Sequence, residues 1–385
     1  MAETRFVTAL DVLFPRGNRL FGDAGQHSEA QMPPWPSVAA GAIRSLMLAK
    51  NNIELGHFAD GEKPAGRLGE VLGTPKEPGS FRIAWFSMAH ESGSEVEPLI
   101  PLPADVIANP DDEDLLYLNP RVLPARLHAS HSTPQPAVLC RDKDGKPEGG
   151  LWLTAAGLDS YLRGEPLQKR EHATSTSQLW RSDPRLGIAL DPKKHAAQEG
   201  RIYTSEGIAP CDGVGFLIIV NGADKLVPKS GMIRIGGDGR GARIWTCQTK
   251  FPEPDWDRIG REKRFRIILA TPGLFENGWR LPGLDENGVW SGPAGLSARL
   301  ASAAVPRPQI VSGWDLAQWK PKPALRAAPP GSVYWFEAPE IDGQALVGAL
   351  KTLVAEGLAC LSQYPDKPRI AEGFNNVMVG NWPAV

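Results

Sequence analysis

Glycine and proline interrupt this chain often enough to decide its architecture. They supply 41 and 36 of its 385 residues, about a fifth, short of the roughly 25–30% typical of low-complexity chains. Apolar runs stay brief, so the sequence predicts short regular elements joined by long loops. Hydrophobic residues reach 42% with 12 Trp, enough for real cores. The length exceeds what one core normally serves, and two domains are expected.

The densest punctuation falls in residues 14 to 45, FPRGNRLFGDAGQHSEAQMPPWPSVAAGAIRS. Arg16 and Arg19 stand among Gly17, Gly22 and Gly25, so charge rides on backbone able to approach a partner closely. Pro33, Pro34 and Pro36 stop the loop, and Ser37 is placed to cap a helix. Backbone donors at a helix start behind a basic glycine loop suit an anion such as phosphate. Local pattern alone favours a plainer reading, a surface loop before a well-capped helix.

A formal charge of −2 gives no global sign of polyanion binding, so any nucleic-acid surface is local. From Lys229 to Arg266 ten basic residues stand against five acidic ones, whereas Glu95 to Asp114 holds seven carboxylates and no base. This asymmetry suits a subunit that meets nucleic acid on one side and protein on another; two solvated loops explain it equally. Cys140, Cys211, Cys247 and Cys360 form no CxxC pair, hence no disulfide framework or zinc ribbon is expected. The start MAETRFVTALDVLF lacks the apolar run of a signal peptide, and no stretch approaches the ~20 residues of a membrane span. A soluble, reduced, cytoplasmic protein is expected.

Phe6 to Phe14 reads as a first strand, and Val38 to Ala49 as a helix with Ala39, Ala42, Ile43, Leu46 and Met47 on one face. Gly41 there is expected to allow close packing on a sheet. Residues 51 to about 150 read as an insertion. Leu153 to Arg163 reads as a helix capped by Thr154, and three apolar runs (Leu186 to Leu190, Gly200 to Ser205, Phe216 to Asn221) as strands with at least one hairpin. GMIRIGGDGRGARIW reads as strand, glycine turn, strand. A second unit begins with RFRIILATPGLF, continues through SVYWFE, and carries a helix capped by Asp342 and ended by Gly357, with Leu346, Leu350, Leu353 and Val354 inward. GFNNVMVGNW closes as a turn and strand. Each half opens with a strand and carries a helix, without an identity-level repeat.

Ile235 to Ile244, IGGDGRGARI, packs four glycines around Arg240, with Arg243 following. A dinucleotide or Walker loop needs a helix next, and none is patterned there. A cyclase-type GGD turn needs a second carboxylate to hold two metal ions; Asp238 has no evident mate. A tight hairpin displaying Arg240 is the preferred reading. His128 and His131 have metal-pair spacing inside a Ser/Thr/Pro loop, and His27 precedes the first helix where a general base could stand. No nucleophile motif or paired carboxylate argues for an enzyme, and no cofactor or metal is expected. Phe14, Phe21, Trp35 and Trp245 flank basic glycine loops and could stack bases; Phe21 and Trp35 are the preferred exposed pair.

These blocks occur in a familiar order. LDVLFPRGNRLFG, PPWPSVAAGAIRS, LTAAGLDSYLRGE, RLGIALDPKKHAAQEGRIYTSE, GFLIIV, IRIGGDGRGARI, PPGSVYWFE and EGFNNVMVGNW together resemble the third-subunit family of the type III-B (Cmr) CRISPR effector complex, in the RAMP superfamily. The resemblance spans nearly the whole chain. It implies an α+β protein of two ferredoxin-like (RRM-like) βαββαβ domains with long loop-rich insertions, over residues 1–255 and 256–385. It also implies a non-catalytic subunit of an antiviral ribonucleoprotein. Its partners would be the repeat-derived five-prime handle of the guide (CRISPR) RNA, the large palm-domain subunit and neighbouring RAMP backbone subunits. Carried over by position, the RNA-facing residues are Arg16, Arg19, Phe21, Ser37, Arg44, Gly236, Gly237, Arg240, Arg243 and Gly373. Asn375 and Asn376 stand where the superfamily more often has a further glycine. The alternative within the superfamily is an endoribonuclease that processes precursor RNA with His27 as base; a nucleotide cyclase built on Asp238 is the remotest reading.

Overall fold

The computed structural model describes residues 2–17, 27–28, 30–122, 134–139, 146–191, 193–194, 196–315, 320–361 and 366–383. Arg19, Phe21, His128, His131 and Cys140 lie outside them, and His27 is placed by its backbone alone.

The first half supplies β1 (Glu3–Ala9), α1 (Pro36–Lys50), β2 (Arg82–Ser92), β3 (Glu95–Pro101), β4 (Leu151–Leu153), α2 (Ala155–Arg163) and β5 (Ala173–Ser175). It continues with β6 (Trp180–Leu190), β7 (Ala197–Pro210), β8 (Val214–Asn221), β9 (Ser230–Ile235) and β10 (Arg240–Thr246). Eight of these strands form one sheet in the order β5-β4-β3-β2-β8-β1-β10-β9. The strands β6 and β7 stand off it as a long hairpin, Trp180 opposite Pro210 and Ile188 opposite Ile202.

Period-two alternation fixes how the sheet is covered. Val7, Ile218, Ala242 and Ile244 point to α1, where Ala39, Ala40, Ile43 and Met47 meet them in one buried cluster. Phe6, Leu217 and Ala89 point the other way, against Trp85, Trp245 and Phe251. Two expectations change here. Residues 51–150 are not one insertion, because β2 and β3 stand within the main sheet. Gly41 is exposed with nothing within 4 Å of where a Cβ would stand, so the close packing belongs to its alanine neighbours.

The second half supplies α3 (Trp256–Glu262), β11 (Arg264–Leu269), β12 (Val289–Ser291), β13 (Ser297–Ala304), β14 (Val333–Glu337), α4 (Gly343–Glu356) and β15 (Val377–Gly380). Its sheet runs β12-β13-β14-β11-β15. Asp342 caps α4 by accepting from the N–H groups of Gln344 and Ala345, and Gly357 ends it at φ 60°. Leu346, Leu350 and Leu353 are buried under the sheet, whereas Val354 is 43% exposed and leaves the expected inward row.

The central four strands of both sheets share one plan. Counted along the chain within each set, neighbours in space read second, third, first, fourth: β2-β8-β1-β10 and β13-β14-β11-β15. Every adjacent pair is antiparallel. Each unit keeps one long helix on its sheet. In the first it follows the first strand; in the second it joins third to fourth, while β9 and the loop before β12 stand where the other helices were expected.

The second sheet uses both faces. Phe265, Ile267 and Leu269 face α4, and Ile268, Val333 and Trp335 pack with Leu158, Tyr161 and Leu162 of α2. Arg266 lies at this seam, fully buried, as is Asp105. Its Nη1 donates to Asp105 Oδ2 at 2.5 Å, its Nε to the Asn381 carbonyl at 2.7 Å and its Nη2 to the Tyr161 carbonyl at 2.6 Å. The Tyr161 hydroxyl donates to Asp105 Oδ1 at 2.8 Å, and its ring lies 4.3 Å from the guanidinium. One member of the acidic stretch and one of the basic stretch therefore pair inside the chain rather than facing outward.

A second polar knot ties Lys322 to the C-terminal turn. Glu372, 6% exposed, accepts from Lys322 and from Arg369, each at 3.0 Å. Burial opposes its ionisation, but Lys322 and Arg369 outweigh that and hold the carboxyl below the usual carboxylate range. A depressed folded pKa adds stability that is complete above the unfolded value and lost as pH falls through the folded one. Urea unfolding of Glu372→Gln will accordingly show a shallower loss of stability from about pH 5 to pH 3 than the parent. Identical slopes would mean that this carboxylate has no part in acid stability.

Candidate nucleic-acid interface

The segment after β1 runs along the base of the β6–β7 hairpin. Leu13 and Ile208 exchange two backbone hydrogen bonds at 2.8 Å, which fixes Phe14 beside the glycine turn that joins β9 to β10. The Gly237 N–H donates to the Phe14 carbonyl at 2.8 Å. A Cβ on Gly237 would stand 2.9 Å from both that carbonyl and Arg16 Nε, so only glycine permits the approach. Gly236, Asp238 and Gly239 all have positive φ (75°, 58°, 58°), which turns the chain tightly enough to lift Arg240 over Phe14.

Three arginines gather there. The Arg240 guanidinium lies 4.7 Å from the centre of the Phe14 ring and that of Arg185 lies 5.8 Å from it. Arg16, with its side chain 57% exposed, donates to Asp238 Oδ1 at 2.6 Å. Arg240 Nε is buried with no hydrogen-bond partner, and Asp11 Oδ2 is 3.9 Å from its Nη1. Exposed ion pairs such as Arg16–Asp238 contribute about 0–1 kcal/mol, so a phosphate can displace the carboxylate at little cost. Guanidinium forks held at fixed positions by an aromatic ring suit bidentate phosphate recognition.

The expected site residues thus separate into groups. Arg16, Gly236, Gly237 and Arg240 converge. Arg243 has opposite parity to Arg240 on β10 and lies over Trp245 at 5.6 Å, on the sheet face away from α1. Ser37 caps nothing: α1 begins at Pro36 behind Trp35, with no side-chain cap, because proline at N1 needs no donor there. Trp35, expected to be exposed, is 7% exposed and packs with Leu274, Val311, Ala327 and Phe374. Arg44 turns inward over Phe81 at 5.0 Å, its Nη2 buried and unpaired, and burial lowers its pKa against the pull of Glu372.

The C-terminal turn is also internal. Gly373 is buried at φ 94°, and a Cβ there would stand 2.8 Å from Ile83 Cβ. Asn375 Oδ1 accepts from the Leu274 N–H, and Asn376 Nδ2 donates to the Ile83 and Gly373 carbonyls. These asparagines hold the loop together, which removes Gly373 from the exposed, RNA-facing surface expected for it. Asp238 serves as the counter-charge of Arg16. Arg185 is the residue that sequence reasoning missed. Only the hairpin register, which sets it opposite Ser205, carries it to Phe14, and no local motif marks it.

The sequence pattern of the family described as CRISPR-associated protein (Cas_Cmr3) matches residues 5–382. The chain belongs to this family. That membership confirms the resemblance drawn from the ordered blocks, to the third-subunit family of the type III-B complex. No curated protein matches the sequence. Among solved structures the fold of this family member is similar to a chain in "Cryo-EM structure of the Type III-B Cmr-beta bound to cognate target RNA and AMPPnP, state 1". The TM-score is 0.52 at 14% identity, over 98% of this chain and 96% of that one. A chain of the Type III-B Cmr-beta bound to cognate target RNA aligns with TM-score 0.47 at 15% identity over 86% of each. Among the described residues, no helix is long and apolar enough to cross a membrane.

Proposed function

We propose that this chain is a non-catalytic subunit of a type III-B CRISPR effector complex that grips the repeat-derived five-prime handle of the guide RNA and docks the large palm-domain subunit. The observation that carries the RNA part is the arginine cluster on Phe14: Arg16, Arg185 and Arg240 brought together from three distant segments by a glycine turn. Backbone and arginine donors of this kind hold phosphates and fix register without reading bases, which is what an assembly needs from a constant handle. Family membership over residues 5–382 supports the complex, and so does the occurrence of a chain of similar fold in an RNA-bound Type III-B Cmr-beta. The shared four-strand plan supports reading each unit as a ferredoxin-like fold that has kept one of its two helices.

The test is direct. Purified protein incubated with repeat-derived single-stranded RNA will retain the RNA intact, and His27→Ala will change neither binding nor RNA length. Cleavage at one position that disappears in His27→Ala would establish the endonuclease reading instead.

A further inference from the structure

One edge of the first sheet is open. The strand β9 ends the eight-strand order and pairs only with β10, Ser230 lying opposite Trp245. The Thr246 N–H donates to the Lys229 carbonyl at 2.7 Å, which fixes the phase of this ladder. Alternation then turns the backbone of Gly231, Ile233 and Ile235 to β10, and that of Ser230, Met232 and Arg234 outward. Among the described residues no hydrogen bond meets these outward N–H and C=O groups. All three residues are exposed, Met232 by 56%. Unpaired backbone along an exposed edge is a template for another strand.

The side chains of the same three residues stand on the sheet face away from α1, with Arg243 and Gly241 of β10 beside them. Leu10, 54% exposed, and Met232 reach over Gly241, where a Cβ would stand 3.3 Å from Leu10 Cδ1 and 3.9 Å from Met232 Cε. Arg234 and Arg243 flank this apolar patch, exposed and without a carboxylate partner among the described residues. No acidic residue shares that face of β1, β9 or β10. Charge alone would guard the edge against pairing; the exposed Met232 and Leu10 undo that protection.

The ring faces that single-stranded RNA would stack on are taken here. Trp245 lies under Arg243 and meets Phe6 edge-on, and Phe6 with Trp85 and Phe251 closes the central strands. An acidic peptide strand answers every feature at once, since its backbone completes the ladder and its carboxylates meet the arginines. We propose that the outer edge of β9 docks an extended acidic segment of a partner protein, which adds to the sheet with a carboxylate opposite Arg234 and an apolar side chain opposite Met232. The proposal does not rest on the RNA-binding reading, which concerns the arginine cluster on Phe14.

Placing a benzophenone-bearing residue at Lys229, exposed just before β9, within the assembled complex tests it. Irradiation is expected to bridge this chain to a protein segment in which an acidic and an apolar residue stand two positions apart. Hydrogen exchange at the amides of Ser230, Met232 and Arg234 will slow by roughly tenfold or more against the isolated chain. Arg234→Glu with Arg243→Glu will lower the crosslink yield roughly fivefold, and Met232→Lys roughly threefold, at unchanged melting temperatures. Crosslinking to RNA or to a segment without that pair, no crosslink, unslowed amides, or yields indifferent to the charge reversal would each overturn the proposal. Met232 is at the surface, so Met232→Lys keeps the test sound if the double reversal does not fold.

Discussion

Arg266→Ala will destabilise the protein by about 3–5 kcal/mol, the usual cost of leaving one partner of a buried ion pair uncompensated. Asp105 would lose its charged partner while keeping the Tyr161 hydroxyl at 2.8 Å, and the carbonyls of Tyr161 and Asn381 would lose the guanidinium donor. Burial pushes the Asp105 carboxyl up, against the pull of Arg266 and the Tyr161 hydroxyl, so without the guanidinium the acid is driven towards its neutral form. The double variant Arg266→Met with Asp105→Leu removes both charges at once and will lose far less. Denaturant unfolding with both variants reads the difference. Equal losses would mean that volume, not the ion pair, governs this seam.

The second large effect concerns RNA. Changing Arg16, Arg185 and Arg240 together to alanine will weaken binding of single-stranded handle RNA by roughly a thousandfold or more at low salt, since three hydrogen bonds to charged groups at the lower value of about 1.5 kcal/mol each sum to about 4.5 kcal/mol. The dependence on salt discriminates better than affinity. Each phosphate that an arginine no longer neutralises lowers the slope of log K against log salt by about 0.7 for a single strand, so the triple variant will show a slope smaller by about 2. Arg44→Ala, which removes an inward-facing arginine over Phe81, will leave that slope unchanged while reducing stability. An unchanged slope in the triple variant would move the RNA elsewhere on the molecule.

Much of the architecture is legible in the sequence because it is written locally. Thr154 caps α2 by accepting from Gly157 N–H, Asp342 caps α4, and the glycines of residues 235–244 make the tight hairpin that their φ preferences require. What stays hidden depends on partners far apart in the chain. The Arg266–Asp105 pair joins residues 161 positions apart, and nothing in the basic or acidic stretch marks which single member turns inward. Trp35 and Arg44 look like surface residues because their segment is basic and proline-rich, yet the second unit packs on Trp35 and Phe81 takes Arg44. Arg185 needs the hairpin register to reach Phe14. Arg16, Gly236, Gly237 and Arg240 come together because the glycines enforce one geometry; sequence adjacency alone misleads at Arg243, where a strand's alternation overrules it.

Guide RNA carrying photoreactive bases in its five-prime handle, crosslinked within the assembled complex and mapped by mass spectrometry, tests the central claim most directly. Adducts are expected on this chain at residues 14–16, 185 and 236–240, and all of them should vanish in the arginine triple variant. Handle adducts confined to other subunits, or adducts on this chain that persist in the triple variant, would contradict the assignment.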